Sequence, residues 1–433
     1  MTAYADYKPL TFHDAARRFA EGQDDPRAYL ERCLATIAAR EPVVKALTAL
    51  NEGGARAAAD ASAARWKANR PLSSIDGMPV AIKDLLETKD MPTEMGCAAM
   101  KGNFPRRDNA AVWALRQAGA VILAKTVTAE LGGAHPGPTT NPFDPARTPG
   151  GSSSGSAAAV ADFQVTLATG TQTGGSVIRP AAFCGVYGYK PTFGHFPVAG
   201  MKANTEWLDT IGAYARSLDD IALFRAVLAG IPHRPVHKLD RSPRIAVCFT
   251  PHKDEMQPEG IAAIEAVAAK LAKAGATVTE FDMPPEMVEM REGQKVLSAF
   301  DGPRAAADEV RRFYGMLSKS FQEDKIDAGN KLDHAAWVAA RKLGERARAA
   351  VEARFGDIDV ILTAPAPGEA PLGLERTGNA TFNLLWTYLW MPCVTLPFDR
   401  GPKGLPVGIQ LVGRQHEDAR LLDVAGWVQG AMT

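Results

Sequence analysis

Apolar residues recur at helical spacing from Asp14 to about Lys67, in runs such as AYLERCLATIAAR with few turn formers between them. This pattern predicts two or three helices packed on the outside of a larger body. After the turn Ser74-Ile75-Asp76-Gly77 the period changes. Residues 78–83 are a continuous apolar run closed by a lysine, which reads as a short buried strand. Asn109 to Gly119 returns to helical spacing with Gly119 as its C-cap, and Val121-Ile122-Leu123-Ala124 is a second buried strand. Helices alternating with uninterrupted apolar strands are the mark of an α/β sheet with parallel strands.

Residues 136–156 are dense in Pro, Gly, Ser, Thr and Asn, a composition that elsewhere marks a linker. Here it runs directly into SAAAVADFQVTLATGTQTGGS, a small-residue helix followed by a strand, so the segment feeds core elements. A basic, Pro-rich break at 232–243 precedes a strand (244–249), a helix (259–274) and a strand (276–281). Residues 290–354 are charged and helical. Two further apolar runs, 358–363 and 393–397, carry few charges and read as central strands. Together these elements predict one α/β domain over 1–433, with a mixed, mostly parallel twisted sheet flanked by helices on both faces. Within it, 1–70 form an N-terminal helical region, 71–235 the core, 236–355 a variable helical subregion and 356–433 C-terminal core strands. No internal repeat is present.

Composition narrows the classes of function. Lys plus Arg and Asp plus Glu number 49 each, so no net field draws nucleic acid or an anionic membrane. The leading MTAYADYKPL lacks a basic n-region and an apolar h-region, which predicts a cytoplasmic protein. The apolar stretch 384–398 is too short to span a bilayer. Five scattered cysteines without a CxxC pair predict buried reduced thiols, with no disulfide framework and no metal site. No cofactor is expected.

The chemistry concentrates between Gly150 and Thr192, in GGSSSGSAAAVA and TGTQTGGSVIRPAAFCGVYGYKPT. A Gly-Gly pair ahead of a serine can turn successive N–H groups toward one point and hold an oxyanion, which makes Ser176 the candidate nucleophile. A serine hydroxyl needs a base. None of the eight histidines lies in these motifs, so a Ser-His-Asp arrangement has no support in the sequence.

Three ordered blocks, GMPVAIKDLLETKDMPT, PGGSSSGSAAAVA and QTGGSVIRPAAFCGVYGYKPT, resemble the amidase signature family. DNAAVWALRQAGAVILAKTVTAE and LPVGIQLVG extend the similarity from about residue 10 to the C-terminus. The resemblance implies the amidase signature fold and a Ser-Ser-Lys triad. In that triad Lys83 is the base, Ser152 the proton relay and Ser176 the attacking group, with a cis peptide between Gly151 and Ser152. Backbone N–H groups of Thr173, Gly174, Gly175 and Ser176 would hold the oxyanion, with Gly151 beside the substrate and Ser153 ordering the lysine and its neighbours. Lys83 would have to be neutral, so burial would have to work against its charged form by on the order of 4 kcal/mol.

The commoner family pattern has an Asp where this chain has Gln172, and an arginine two residues after the nucleophile, where Ile178 stands. Here the arginine is Arg179. This variant resembles the malonamidase branch, in which the corresponding arginine is associated with a substrate carboxylate; a purely structural arginine is the competing reading. Trp386, Tyr388, Trp390 and Met391 could wall an apolar pocket or simply fill the core, and no role follows from the spacing of Glu130, His135 and Thr139. The expected activity is hydrolysis of a small or aryl amide, or a related anilide, ester or carbamate, through an acyl-enzyme on Ser176. The enzyme would act as a monomer or homodimer. The alternatives are a glutaminase-like component supplying ammonia to an amidotransferase complex, a malonamate-type hydrolase, and a non-catalytic binding protein.

Overall fold

The computed structural model describes residues 11–133 and 135–432; the leading ten residues read above for a signal peptide lie outside the described residues. Three helices open the chain. In α1 (Phe12–Ala20), α2 (Pro26–Val44) and α3 (Glu52–Lys67) the caps Thr11, Asp25 and Asn51 each accept a backbone N–H of the first turn. Phe12, Phe19 and Tyr29 meet edge to face, and Phe19 also packs on Trp66, which fixes these helices together.

The strands are β1 (Leu47–Leu50), β2 (Pro79–Lys83), β3 (Val121–Thr126), β4 (Leu167–Gln172), β5 (Tyr187–Lys190), β6 (Thr210–Ala215), β7 (Arg244–Val247), β8 (Thr277–Glu280), β9 (Val360–Thr363), β10 (Cys393–Arg400) and β11 (Pro406–Gly413). They form one sheet in the order β1-β3-β2-β4-β6-β5-β10-β11-β9-β7-β8. Alternate residues of its strands enter different cores. Ile245, Val360, Leu362, Val394 and Leu411 pack in one cluster, and their neighbours Ala246, Ile361, Cys393 and Val412 in another. Period two with both faces apolar places helices on both sides of the sheet, as the unbroken apolar runs predicted.

The expected parallel majority needs correction. Four pairings are parallel, β3-β2, β2-β4, β9-β7 and β7-β8, and six are antiparallel. The parallel strands form two patches, where helices such as α4 (Ala110–Gln117), α5 (Ser154–Ala161) and α8 (Pro258–Lys273) make the crossovers. Between them β4 to β9 run antiparallel. Sequence reading missed β1, a four-residue strand between α2 and α3, and both β5 and β6. All five cysteines are buried and unpaired, and no described helix is long and apolar enough to cross a membrane.

The small-residue helix α5 is buried on every side and packs on β2, β3, β4 and β6. Its glycine explains the composition. A Cβ on Gly155 would sit 2.2 Å from the Ala46 carbonyl oxygen and 2.5 Å from the Val127 nitrogen, so only glycine lets backbone meet backbone there. Gly155→Ala is expected to lower stability by at least about 3 kcal/mol, the upper range for an overpacked core, read as the midpoint of urea unfolding. An unchanged midpoint would mean that α5 can withdraw from the sheet at no cost.

Candidate functional site

Lys83 closes β2 and Gln172 closes β4, and because these strands are parallel their C-terminal ends share one edge of the sheet. Ligand sites of α/β sheets form at such edges. The turn Thr173–Ser176 follows β4 directly, and α6 (Ile178–Phe183) follows the turn.

The Lys83 side chain has no exposed surface. Its Nζ lies 2.8 Å from Ser152 Oγ and 2.7 Å from Thr171 Oγ1, and its backbone N–H donates to Thr169 Oγ1 at 2.9 Å. The next residue, Asp84, could have neutralised it. Instead Asp84 forms a buried ion pair with Lys125 of β3 at 2.8 Å, which leaves Lys83 without a carboxylate partner. Burial therefore holds its pKa well below the ordinary lysine value, against a weaker opposite pull from the Asp209 carboxylate.

Ser152 is almost fully buried, and the Gly151–Ser152 peptide is cis. Ser153 Oγ bonds both the carbonyl and the N–H of Thr171 at 3.3 Å, so it orders the threonine that holds Lys83. Ser176 is half-buried and lines a cavity of about 640 Å³, a volume typical of small-molecule sites. The hydroxyls of Ser152 and Ser176 do not hydrogen-bond to each other.

The turn before Ser176 is held by its carbonyls. Gln294 Nε2, from α9 (Glu286–Ala305), donates to the Thr173 carbonyl at 3.0 Å. Thr387 Oγ1 donates to that of Gly174 at 2.7 Å, the Arg179 N–H to that of Gly175 at 3.1 Å, and Tyr214 OH to that of Ser176 at 2.8 Å. In a trans planar peptide the N–H points away from the carbonyl. Fixing the first three carbonyls thus fixes the N–H groups of Gly174, Gly175 and Ser176, and none of these has an acceptor among the described residues. Beyond Ser176 the N–H groups are taken: Gln172 Oε1 accepts from Val177 at 2.8 Å and Ile178 at 3.0 Å. Gln172 Nε2 donates to Thr387 Oγ1 at 2.9 Å, so both ends of this amide are used. An acid-to-amide change at 172 beside an uncharged Ile178 leaves no lone charge at this point.

Thr173 also donates through its hydroxyl to Asp209, whose other oxygen accepts the N–H groups of Asn204 and Thr205 at 2.7 and 3.0 Å. Burial raises the Asp209 carboxyl to about 6. Arg179 lines the cavity too, although only 3% exposed. Its Nη2 donates to the Gly151 carbonyl at 2.6 Å and to Thr377 Oγ1 at 3.1 Å, while Nε and Nη1 find no acceptor. It has no acid partner, and burial pushes its pKa down to about 10.

The structure thus joins Lys83 to Ser152, Ser153 to Thr171, and Arg179 to Gly151, and puts residues 173–176 and Arg179 on one cavity. Trp386 and Tyr388 lie in the core, and Trp390 packs between Phe193 and Trp207; none of them, nor Met391, lines the cavity. Its apolar contribution from that segment is Leu384. No histidine lines it among the described residues. Glu130 accepts the Ser318 N–H at 3.1 Å and Thr139 donates to the Lys45 carbonyl at 2.8 Å, ties between loops and helices. Thr169, Thr171, Asp209, Tyr214, Gln294 and Thr387 were not foreseen. Thr169 and Thr171 had a signal: at i and i+2 of one strand they share a face.

Comparison with known proteins bears on the family and the fold. The Amidase family model matches residues 28–422. The chain is 32% identical over 447 residues to a subunit of the glutamyl-tRNA(Gln) amidotransferase of Anaeromyxobacter dehalogenans (strain 2CP-C), covering 92% of this chain and 91% of that one. An amidase crystal structure superposes with a TM-score of 0.89 at 28% identity over 98% of this chain and 100% of its own. The peptide amidase from Stenotrophomonas maltophilia does so with a TM-score of 0.84 at 27% identity, covering 99% and 98%.

The state of Lys83 can be tested without a substrate. Its pKa is depressed in the fold, so below about 10.4 the unfolded chain takes up a proton that the folded chain refuses until its own lower value is reached; across that window stability rises with pH. Urea unfolding between pH 7 and 9.5 should show the wild type gaining on Lys83→Met as pH increases. A constant gap between the two would mean that the amine is charged in the folded protein.

Proposed function

The chain belongs to the amidase family as an amidohydrolase, and from that premise we propose that it hydrolyses a small linear amide through an acyl-enzyme on Ser176. One observation carries this reading: a buried lysine with no acid partner, hydrogen-bonded to Ser152, stands by a turn that offers three unclaimed N–H groups. Lys83 as the free amine takes the Ser152 proton while Ser152 takes that of Ser176, and Ser176 Oγ attacks the substrate carbonyl. The relay closes when the Ser176 side chain turns toward Ser152. The N–H groups of Gly174, Gly175 and Ser176, with that of Thr173, receive the oxyanion, each worth roughly 3 to 4 kcal/mol. The proton returns from Lys83 through Ser152 to the departing nitrogen, the C–N bond breaks, and water releases the acyl group by the same relay in reverse.

A second reading, that the substrate carries a carboxylate beside the reacting amide, is favoured by Arg179. A guanidinium that lines the cavity and has no ion-pair partner among the described residues is suited to a carboxylate. The reading as an ammonia-supplying component of a complex draws support from the 32% identity to the amidotransferase protein; Gln172, Ile178 and Arg179 speak for a free-standing enzyme.

Purified alone, the protein is expected to turn over at least one member of a panel of p-nitroanilides, primary amides, malonamate, aryl carbamates and glutamine. Ser176→Ala should reduce kcat by on the order of 10⁴-fold or more, and a fluorophosphonate should label Ser176 in the wild type. Near-normal turnover by Ser176→Ala would refute the mechanism, and turnover of glutamine alone, only with a second protein, would favour the amidotransferase reading. Arg179→Met should raise KM for malonamate about tenfold or more relative to malonamide; an equal effect on both would remove the carboxylate.

A further inference from the structure

The cavity that Ser176 lines also holds a lysine that the mechanism does not use. Lys325 lies in the π-helical turn Gln322–Asp327, an uncommon geometry that is frequent at functional sites. Its stem passes over Gly302 of α9, where an added Cβ would come within 3.4 Å of Lys325 Cδ. Its ammonium donates to Ser298 Oγ at 2.6 Å, and both residues line the cavity. An ammonium has three donors, and Lys325 has no other hydrogen bond and no ion pair among the described residues. Burial works against its charged form, and the Asp209 and Asp324 carboxylates pull more weakly the other way. Asp209 is already bound by Thr173 and two backbone N–H groups, and Asp324 is exposed beside it in sequence. The cavity's other lysine, Lys295, is paired with Glu292 at 3.4 Å.

We infer that Lys325 is a specificity-determining residue that binds an acidic group of the substrate. The inference rests on this cavity being the substrate site, as proposed above, and adds a second cation on its wall. Arg179 and Lys325 both line this cavity of about 640 Å³, so it carries two cations without an ion-pair partner among the described residues. The substrate that satisfies both is an amide that carries two acidic groups.

The test is calorimetric and needs no turnover. Ser176→Ala protein is titrated with malonate, succinate, glutarate, butyrate and glutaramide. At least one dicarboxylate should bind roughly tenfold or more tightly than butyrate, and adding Lys325→Met should remove most of that advantage, a loss of roughly 10- to 100-fold for one charge-assisted hydrogen bond. Lys325→Arg should restore much of it, and Lys325→Gln serves if the Met variant does not fold. Failure of every dicarboxylate to outbind butyrate, or an equal loss for glutaramide, would overturn the inference. Persistent turnover by Ser176→Ala would instead refute the acyl-enzyme and leave this binding result standing.

Discussion

Burying the Lys83 amine with no acid in reach is the constraint to which the rest of the molecule answers. A charged ammonium enclosed by apolar strands costs several kcal/mol even after relaxation, so the residue is held toward its neutral form. Keeping it so requires that the adjacent Asp84 be occupied elsewhere, and Lys125 occupies it from the neighbouring strand. It also requires hydroxyl partners that accommodate a neutral amine, which Thr171 and Ser152 supply. The parallel pairing of β2 with β4 then delivers the lysine to the edge at which the turn carrying Ser176 emerges.

The second requirement is electrostatic in another sense. A negative oxygen can be held by backbone N–H groups only if these are neither satisfied internally nor free to rotate. The carbonyl clamps on residues 173–175 meet both conditions, since each fixes a peptide plane from the side opposite its unclaimed N–H; the fourth, on Ser176, fixes the plane that follows. Gln172 takes the next two N–H groups, so the unclaimed run ends at Ser176.

Much of this was legible in the sequence, and the boundary of legibility is physical. Ser176 stood out because it follows a Gly-Gly pair able to aim successive N–H groups, in a glycine-rich stretch that enters core elements directly. Lys83 and Ser152 took their roles from the resemblance of their ordered blocks to the amidase signature family; alone, they read as a strand-end lysine and a Gly/Ser linker. The sheet's antiparallel centre did not show: β5 and β6 are short and glycine-containing, with interiors buried on both faces, so neither alternation nor length marked them. The clamps were invisible for a different reason. Gln294 lies 121 residues from Thr173 and Thr387 lies 213 from Gly174, and nothing local in a glutamine on a helix or a threonine among aromatics announces a partner so distant. Of the aromatic stripe at 386–391, Trp386 and Tyr388 went to the core because the helix that carries them turns Leu384 instead to the cavity.

The dispersal of those clamps also limits how the enzyme could be re-engineered. A graft of the glycine-rich loop into a foreign scaffold would import the sequence without the four latches, and its freed peptides would swing until they found acceptors of their own. Within this scaffold, exchanging the helical cap over the pocket to alter substrate scope would discard Gln294 along with the pocket wall, so recognition and the anion cradle have to be swapped as one module.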